Sequence, residues 1–306
     1  MHKVAIFLCT LNGELFLAEQ LDSIEAQIYQ NWEVIASDDG SIDSTLEILK
    51  QYQSKWPPGK LTIRIGPQKG FCLNFLTLAC DPEIKADFYA FCDQDDVWMP
   101  EKLMVSIQTI VAKQKEYQPF IYCGRTKYVT ENLQPCGESP NFAFPTSFRN
   151  ALIQSIAGGN TMVFNHATKC LIEKAGPIDL PSHDWWIYML VSGHGGSVFY
   201  DSKILIYYRQ HQKALIGGNN TFYAKFSRCV MALQGRFKSW NNQHSKALVN
   251  NRYLLSDENK QILDWFTKLP SAKLLERIRI LEICGLYRQT KRGTLSLYIA
   301  AFLNKL

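Results

Sequence analysis

Several classes of protein are excluded by what the chain lacks. Its 306 residues contain no CxxC pair among nine cysteines, so neither a disulfide framework nor a structural zinc site is written into the spacing, and the thiols point to a reducing compartment. There is no GxGxxG turn and no P-loop, which argues against a dehydrogenase and against a nucleoside triphosphatase. No apolar run approaches the length of a membrane-spanning helix, and the early run Val4 to Cys9 is too short for the core of a signal peptide, so a cytoplasmic protein is expected. Internal repeats, low-complexity segments and recognisable nucleic-acid-binding modules are also missing, and no nucleic-acid partner is expected. With 46% hydrophobic and 20% charged residues, the chain has the composition of an ordinary globular protein with a substantial core.

What is present reads as alternating strands and helices. Val4 to Cys9 is a continuous apolar run of strand length, the pattern of a strand covered on both faces. Leu17, Leu21, Ile24 and Ile28 recur at three- and four-residue spacing and predict an amphipathic helix. Trp32 to Ser37 predicts the next strand, and Asp43 or Ser44 caps a helix running through Leu46, Ile48 and Leu49. A strand at Leu61 to Ile65, a loop from Gly66 to Phe71 and a helix from Asn74 to Cys80 follow. This order predicts an α/β fold with a parallel sheet, whose strand ends open into one crevice.

Three strand ends carry the polar loops: Thr10 to Gly13, Asp38 to Ser41, and Asp93 to Asp96. The last follows the aromatic run Asp87 to Cys92 and precedes Pro100, which pre-sets a helix through Leu103 and Ile107, so the acids are expected in a tight strand-to-helix loop. Clustered carboxylates repel unless water, donors or a cation compensates. A divalent Mn2+ or Mg2+ ion suits these hard oxygen donors and would complete its shell with phosphate oxygens and water. The plainer reading is a solvated acidic turn with Asp93 or Asp96 capping the next helix.

Charge is unevenly distributed. From Asn219 onward there are 15 Lys and Arg against 5 Asp and Glu, a local +10, which leaves 18 against 23, or −5, for the remainder of a chain whose formal net charge is +5. The basic stretch from Phe222 to Leu306 reads as helical and rich in aromatics. It predicts a helical cap, peripheral contact with the inner face of an anionic cell membrane, or both.

Thr10-Leu11-Asn12-Gly13, Ser37-Asp38-Asp39-Gly40-Ser41-Ile42-Asp43 and Asp93-Gln94-Asp95-Asp96-Val97-Trp98 together resemble the leading motifs of family 2 glycosyltransferases with the GT-A fold. The spelling of the acidic motif, the early Asn12-Gly13-Glu14 and the later Tyr208-Arg209-Gln210-His211 resemble the bacterial rhamnosyltransferase branch, which builds lipopolysaccharide, O-antigen and capsule. The resemblance covers roughly residues 3 to 217. It implies a Rossmann-like, mostly parallel sheet flanked by helices in a catalytic domain over residues 1–217, with a basic helical C-terminal extension over 218–306.

For the donor side, the resemblance implies that Thr10 and Asn12 approach the nucleotide, that Asp39, with Asp38 beside it, reads the pyrimidine, and that Lys69 and Asn74 lie near the diphosphate or base. A carboxylate suits the ring N–H of uracil or thymine, although Asp39-Gly40 also suits a plain turn before a helix. Asp93 and Asp95 match the two acids of the family's DXD motif, with Asp95 the direct metal ligand, Asp93 toward ribose or metal-bound water and Asp96 in support, and Arg209 and His211 are placed to meet diphosphate or metal. Trp98 is expected to pack beneath the loop.

The second half supplies the acceptor side. Gly158, Gly159 and Asn160 precede a strand-like run, and Pro181-Ser182-His183-Asp184-Trp185-Trp186 opens a helix with Asp184 in its first turn. A helix dipole alone accounts for an acid there. The resemblance makes Asp184 the general base, with Trp185 on the acceptor side and His183 where the family usually has a glutamate. The implied reaction is inverting transfer of L-rhamnose from dTDP-L-rhamnose to a sugar hydroxyl of a glycan or lipid-linked glycan. A UDP-hexose donor remains open, as does a catalytically silent glycan- or nucleotide-sugar-binding protein on the same fold.

Overall fold

The computed structural model describes residues 2–115, 117–210 and 236–303. Two compact units divide the chain: Met1–Asn141, Ala157–Asp179 and Phe199–Gly218 form one, and Phe142–Ile156, Leu180–Val198 and Asn219–Leu306 form the other.

The first unit is built on a nine-stranded sheet. Its parallel part comprises β1 (Val4–Thr10), β2 (Trp32–Asp38), β3 (Leu61–Ile65) and β4 (Phe88–Cys92), in the order β3-β2-β1-β4. β1 is buried along its whole length, because helices cover both faces of the sheet. Val4, Ile6 and Leu8 pack with Leu17, Leu21 and Ile24 of α1 (Leu17–Glu25), Leu49 of α2 (Thr45–Lys55) and Leu103, Ile107 and Ile110 of α4 (Lys102–Lys113). Rings from the alternate residues and from α3 (Phe71–Ala79) pack edge-to-face or tilted, Phe75 lying 5.3 Å from Phe91, and Phe91 lying 6.0 Å from Phe7 and 5.1 Å from Phe164. Each such fully buried side chain contributes about 1.5–3 kcal/mol relative to exposure.

The remaining strands are β5 (Val97–Trp98), β6 (Phe120–Val129), β7 (Pro135–Glu138), β8 (Val163–Asn165) and β9 (Ser197–Arg209), and α6 (His166–Ala175) follows β8. β8 lies antiparallel to β4 and β6, β7 to β6, and β5 to β9, so the sheet is mixed beyond β4.

Three local expectations change. α1 ends at Glu25, and Ile28, which continues its spacing, is 57% exposed. α3 begins at Phe71, directly after Gly70, whose φ of 91° is a left-handed conformation open to glycine. The acidic stretch does not run straight into a helix: β5 intervenes, Met99 N donates to Leu205 O at 3.0 Å, and α4 starts at Lys102 after Glu101, so neither Asp93 nor Asp96 caps it.

The second unit is helical. It contains α5 (Phe148–Ala151), α7 (His183–His194), α8 (Arg236–Asn250), α9 (Asp257–Phe266), α10 (Leu274–Cys284) and α11 (Lys291–Phe302). Side chains of α8 pack on α7, the Trp185 ring lying 4.8 Å from His244 and 6.5 Å from Trp240. No helix among the described residues is long and apolar enough to cross a membrane.

Candidate functional site

From β1 the chain goes to β2 and β3 on one side, and β4 then returns to the other side of β1. Connections diverge at this point, and an open α/β sheet leaves a crevice beyond the carboxyl ends of the two strands. The loops there are Thr10 to Gly13 and Asp93 to Asp96, and the Gln94 side chain joins them. Its Oε1 accepts from Leu11 N at 2.8 Å and its Nε2 donates to Leu11 O at 3.0 Å. Both ends of one amide therefore fix the acidic loop to the end of β1. Gln94 lies inside the acidic motif, yet nothing in its local sequence marks it as the residue that makes this bridge.

Most sequence-predicted donor residues hold the neighbouring loops in shape. Asp38 is buried; its Oδ1 accepts from Thr10 Oγ1 at 2.9 Å and Ser41 Oγ at 2.5 Å, and its Oδ2 accepts from Ser41 N at 2.9 Å. Asp39, also buried, accepts from Gln68 N at 2.6 Å and Gly70 N at 2.8 Å, which ties the end of β2 to the β3–α3 loop. Asn12 has a left-handed φ of 49°, and its Oδ1 accepts from Ile42 N at 2.9 Å. Asn74 is buried and exchanges hydrogen bonds with Ser37, donating from Nδ2 to the carbonyl at 2.9 Å and accepting from Oγ at 2.5 Å. Lys69 is exposed on the same loop.

The three acids after β4 have different surroundings. Asp93 and Asp95 are half-buried. Asp96 is fully buried: Asn160 Nδ2 donates to its Oδ2 at 2.6 Å, and Arg209 N lies 3.4 Å from its Oδ1. Burial, reinforced by the charges of Asp95 and Asp93, pushes the Asp96 carboxyl well above the usual carboxylate range. Asn160 lies in a 3-10 turn, Gly159–Thr161, that leads into β8, and Gly158 is half-buried just before it.

Arg209 closes the loop from the other side. Its guanidinium is fully buried, donating from Nε to Asp95 O at 3.0 Å, from Nη2 to Glu19 Oε2 at 2.5 Å and from Nη1 to Glu131 O, while lying 4.4 Å from the Phe16 ring centre. Apart from Asp95, these partners come from distant stretches that no local motif marks. His211 lies outside the described residues.

Beneath the loop, Lys102 is buried with its Nζ 3.5 Å from the centre of the Trp98 ring and without a hydrogen-bond partner among the described residues. Burial pushes this ammonium down to about 7, against the opposing pull of the acidic groups Cys92 and Asp96 beside it. Trp98 packs as expected, its backbone N donating to Ser23 Oγ at 3.0 Å.

Two half-buried carboxylates at the strand end fit a divalent cation that takes one or two protein carboxylates and fills its shell with phosphate and water. Among the described residues, no group of three or more His, Cys, Asp or Glu could hold an ion alone. Asp93 and Asp95 would therefore hold it together with ligand oxygens.

In the second unit, Ser182 caps α7 by accepting from Trp185 N at 3.4 Å. Asp184, in the first turn and half-buried, accepts from Trp185 N at 2.6 Å and from Ser182 Oγ. Trp185 is buried, and its indole N–H donates to Ala151 O at 2.7 Å. His183 is buried, and that burial pushes its imidazole down to about 4 against the pull of Asp184.

A sheet whose carboxyl edge carries paired acids at the switch point has the fold of the GT-A glycosyltransferases. A crystal structure of S. aureus TarS 1-349 in complex with UDP-GlcNAc matches with a TM-score of 0.54 at 19% identity, covering 92% of this chain and 80% of that one. The mannosyltransferase PcManGT from Pyrobaculum calidifontis, in complex with GDP-Man and Mn2+, matches with a TM-score of 0.51 at 14% identity, over 99% and 86% of the two chains. The family described as Glycosyl transferase family 2 matches residues 5–173, and the chain belongs to that family. It is 27% identical over 258 residues to the dTDP-rhamnosyl transferase RfbG of Shigella flexneri, spanning 81% of this chain and 86% of that one. It is also 33% identical over 122 residues to the putative glycosyltransferase EpsE of Bacillus subtilis (strain 168), spanning 38% and 41%.

Proposed function

We propose that the protein is an inverting glycosyltransferase that moves L-rhamnose from dTDP-L-rhamnose to a sugar hydroxyl of a bacterial lipopolysaccharide or surface polysaccharide. The observation that carries this reading is the joint presence of half-buried Asp93 and Asp95 at the switch point and similarity to a dTDP-rhamnosyl transferase over 81% of the chain. Membership in the family supports glycosyl transfer, and the similarity supports the choice of sugar nucleotide.

On this reading the loops after β1, β2 and β3 receive the nucleotide, their shape held by Thr10, Asn12, Asp38, Asp39 and Asn74. Asp93 and Asp95 face the donor diphosphate. These two acids would hold manganese or magnesium, whose positive charge would supply neutralisation for the departing nucleoside diphosphate. Arg209 keeps Asp95 in place through its main-chain carbonyl, and His211 is a further candidate ligand. Asp184 takes the proton of the acceptor hydroxyl as that oxygen bonds to the anomeric carbon. The bond from that carbon to the diphosphate oxygen breaks in the same displacement, so configuration inverts without a covalent enzyme intermediate. Gly158, Gly159, Asn160 and Trp185 belong to the acceptor side of this proposal.

The test is binding and slow hydrolysis of a panel of nucleotide sugars with manganese, with magnesium and with chelator. Metal-dependent preference for dTDP-L-rhamnose is expected. Preference for a UDP-hexose would overturn the sugar assignment and retain the mechanism. Failure to bind any donor would favour a catalytically silent scaffold on the same fold.

A further inference from the structure

α11 packs inward through Leu297 and Ala301, which are fully buried, and the carbonyl of Ala301 accepts from Arg277 Nη1 at 2.8 Å. Its other side is also apolar. Leu295, Ile299, Phe302 and Leu303 are 62%, 53%, 61% and 50% exposed, and their spacing of four, three and one residues places them on one stripe.

The amino-terminal end of this helix carries cations. Lys291 and Arg292 occupy the first turn, where a helix dipole favours acids, and no acidic residue is there. Arg288 precedes them but is half-buried, its Nη1 donating to Ser296 Oγ at 3.4 Å, whereas Lys291 and Arg292 are exposed and neither pairs with a carboxylate among the described residues. After Glu282 the remaining 24 residues contain four Lys or Arg and no Asp or Glu. Both the dipole and the side chains therefore favour an anionic partner at one end of an apolar stripe. A second copy meeting this face across a two-fold axis would gain the apolar contact without any acid to meet its cations. An anionic lipid surface supplies both.

We propose that the outer face of α11 docks on an anionic bilayer, with Leu295, Ile299, Phe302 and Leu303 entering the acyl boundary and the exposed Lys291 and Arg292 meeting lipid phosphates. Such a helix lies in the plane of the interface and does not span it. The inference is independent of which sugar is transferred.

The experiment is flotation of the full chain with phosphatidylcholine vesicles, with and without phosphatidylglycerol, at low and high salt. Binding only to the anionic vesicles, weakened by salt, is expected. Lys291→Gln and Arg292→Gln should each lower partitioning roughly fivefold. Leu295→Ser, Ile299→Ser and Phe302→Ser should each lower it by a similar factor of about five, since half-exposed side chains gain about half of full burial. Circular dichroism and thermal melting check that the variants are folded. Absence of binding, equal binding to neutral vesicles, or indifference to the serine variants would overturn the proposal. So would a dimer in sedimentation velocity that the serine variants dissolve, because the face would then be an interface between copies.

Discussion

Lys102→Met replaces a buried cation by an apolar side chain of similar reach directly beneath the acidic loop. An ordinary lysine titrates near 10.4, whereas burial pushes Lys102 down to about 7, a difference worth about 4–5 kcal/mol against the folded state. The Trp98 face acts the other way: an ammonium 3.5 Å from its centre gains about 2 kcal/mol in a desolvated site. The net cost of the charge is therefore about 2–3 kcal/mol at pH 7. Since burial leaves the folded pKa the lower one, the unfolded chain binds more protons between the lowered folded pKa and about 10.4, and Lys102 makes wild-type stability rise with pH on the approach to about 10.4. Near or above 10.4 the lysine is neutral in both states and its cost vanishes. Urea unfolding followed by tryptophan fluorescence at several pH values from 7 upward compares the two proteins, and taking the difference cancels the thiols and tyrosines that titrate in the same range. The variant should be more stable by about 2–3 kcal/mol at pH 7, with the advantage shrinking toward pH 10. A pH-independent difference, or a variant less stable at pH 7, would refute a buried, unpaired ammonium.

Asp95→Ala should remove manganese-dependent donor binding, and titration curves that coincide with and without manganese would sink its role as a ligand. Asp184→Asn should lower transfer by roughly 10²–10⁴-fold while donor affinity stays within a factor of two or so, the pattern of a lost general base; full transfer would reassign the base. Gly66→Ala would place a methyl carbon 2.8 Å from Asp39 Oδ1 and 2.9 Å from both Asn74 Oδ1 and Asp38 O. Overpacking there should cost about 1–3 kcal/mol and weaken nucleotide binding; an unchanged melting temperature and nucleotide affinity would show that this loop yields freely.

The parallel half of the sheet was legible because its strands announce themselves. Val4 to Cys9 and Phe88 to Cys92 are short apolar runs bounded by polar loops, and a strand buried on both faces has no other way to be written. Periodicity failed where local and tertiary signals parted. Ile28 continues the spacing of α1, yet it lies beyond the helix end because the chain turns there to enter β2. Two residues carry no period, so β5 was invisible until it paired with β9, far along the chain.

The candidate site divides in the same way. The residue types at the strand ends, Asp38, Asp39, Asp93, Asp95 and Asp96, and the placement of Asp184 in a helix's first turn were set by sequence alone, because short-range patterning fixes where strands stop and helices start. Only tertiary structure separated the roles available to those acids. Asn160 and Arg209 reach Asp96 from 64 and 113 residues away and hold it buried, while Asp93 and Asp95 stay half-buried. The same holds for Gln94 bridging to Leu11 and for Arg209 closing on Glu19, Asp95 and Glu131. Which carboxylates can meet a ligand is settled by the donors and neighbouring charges that folding brings to them, and those arrive from parts of the chain that local spacing cannot join.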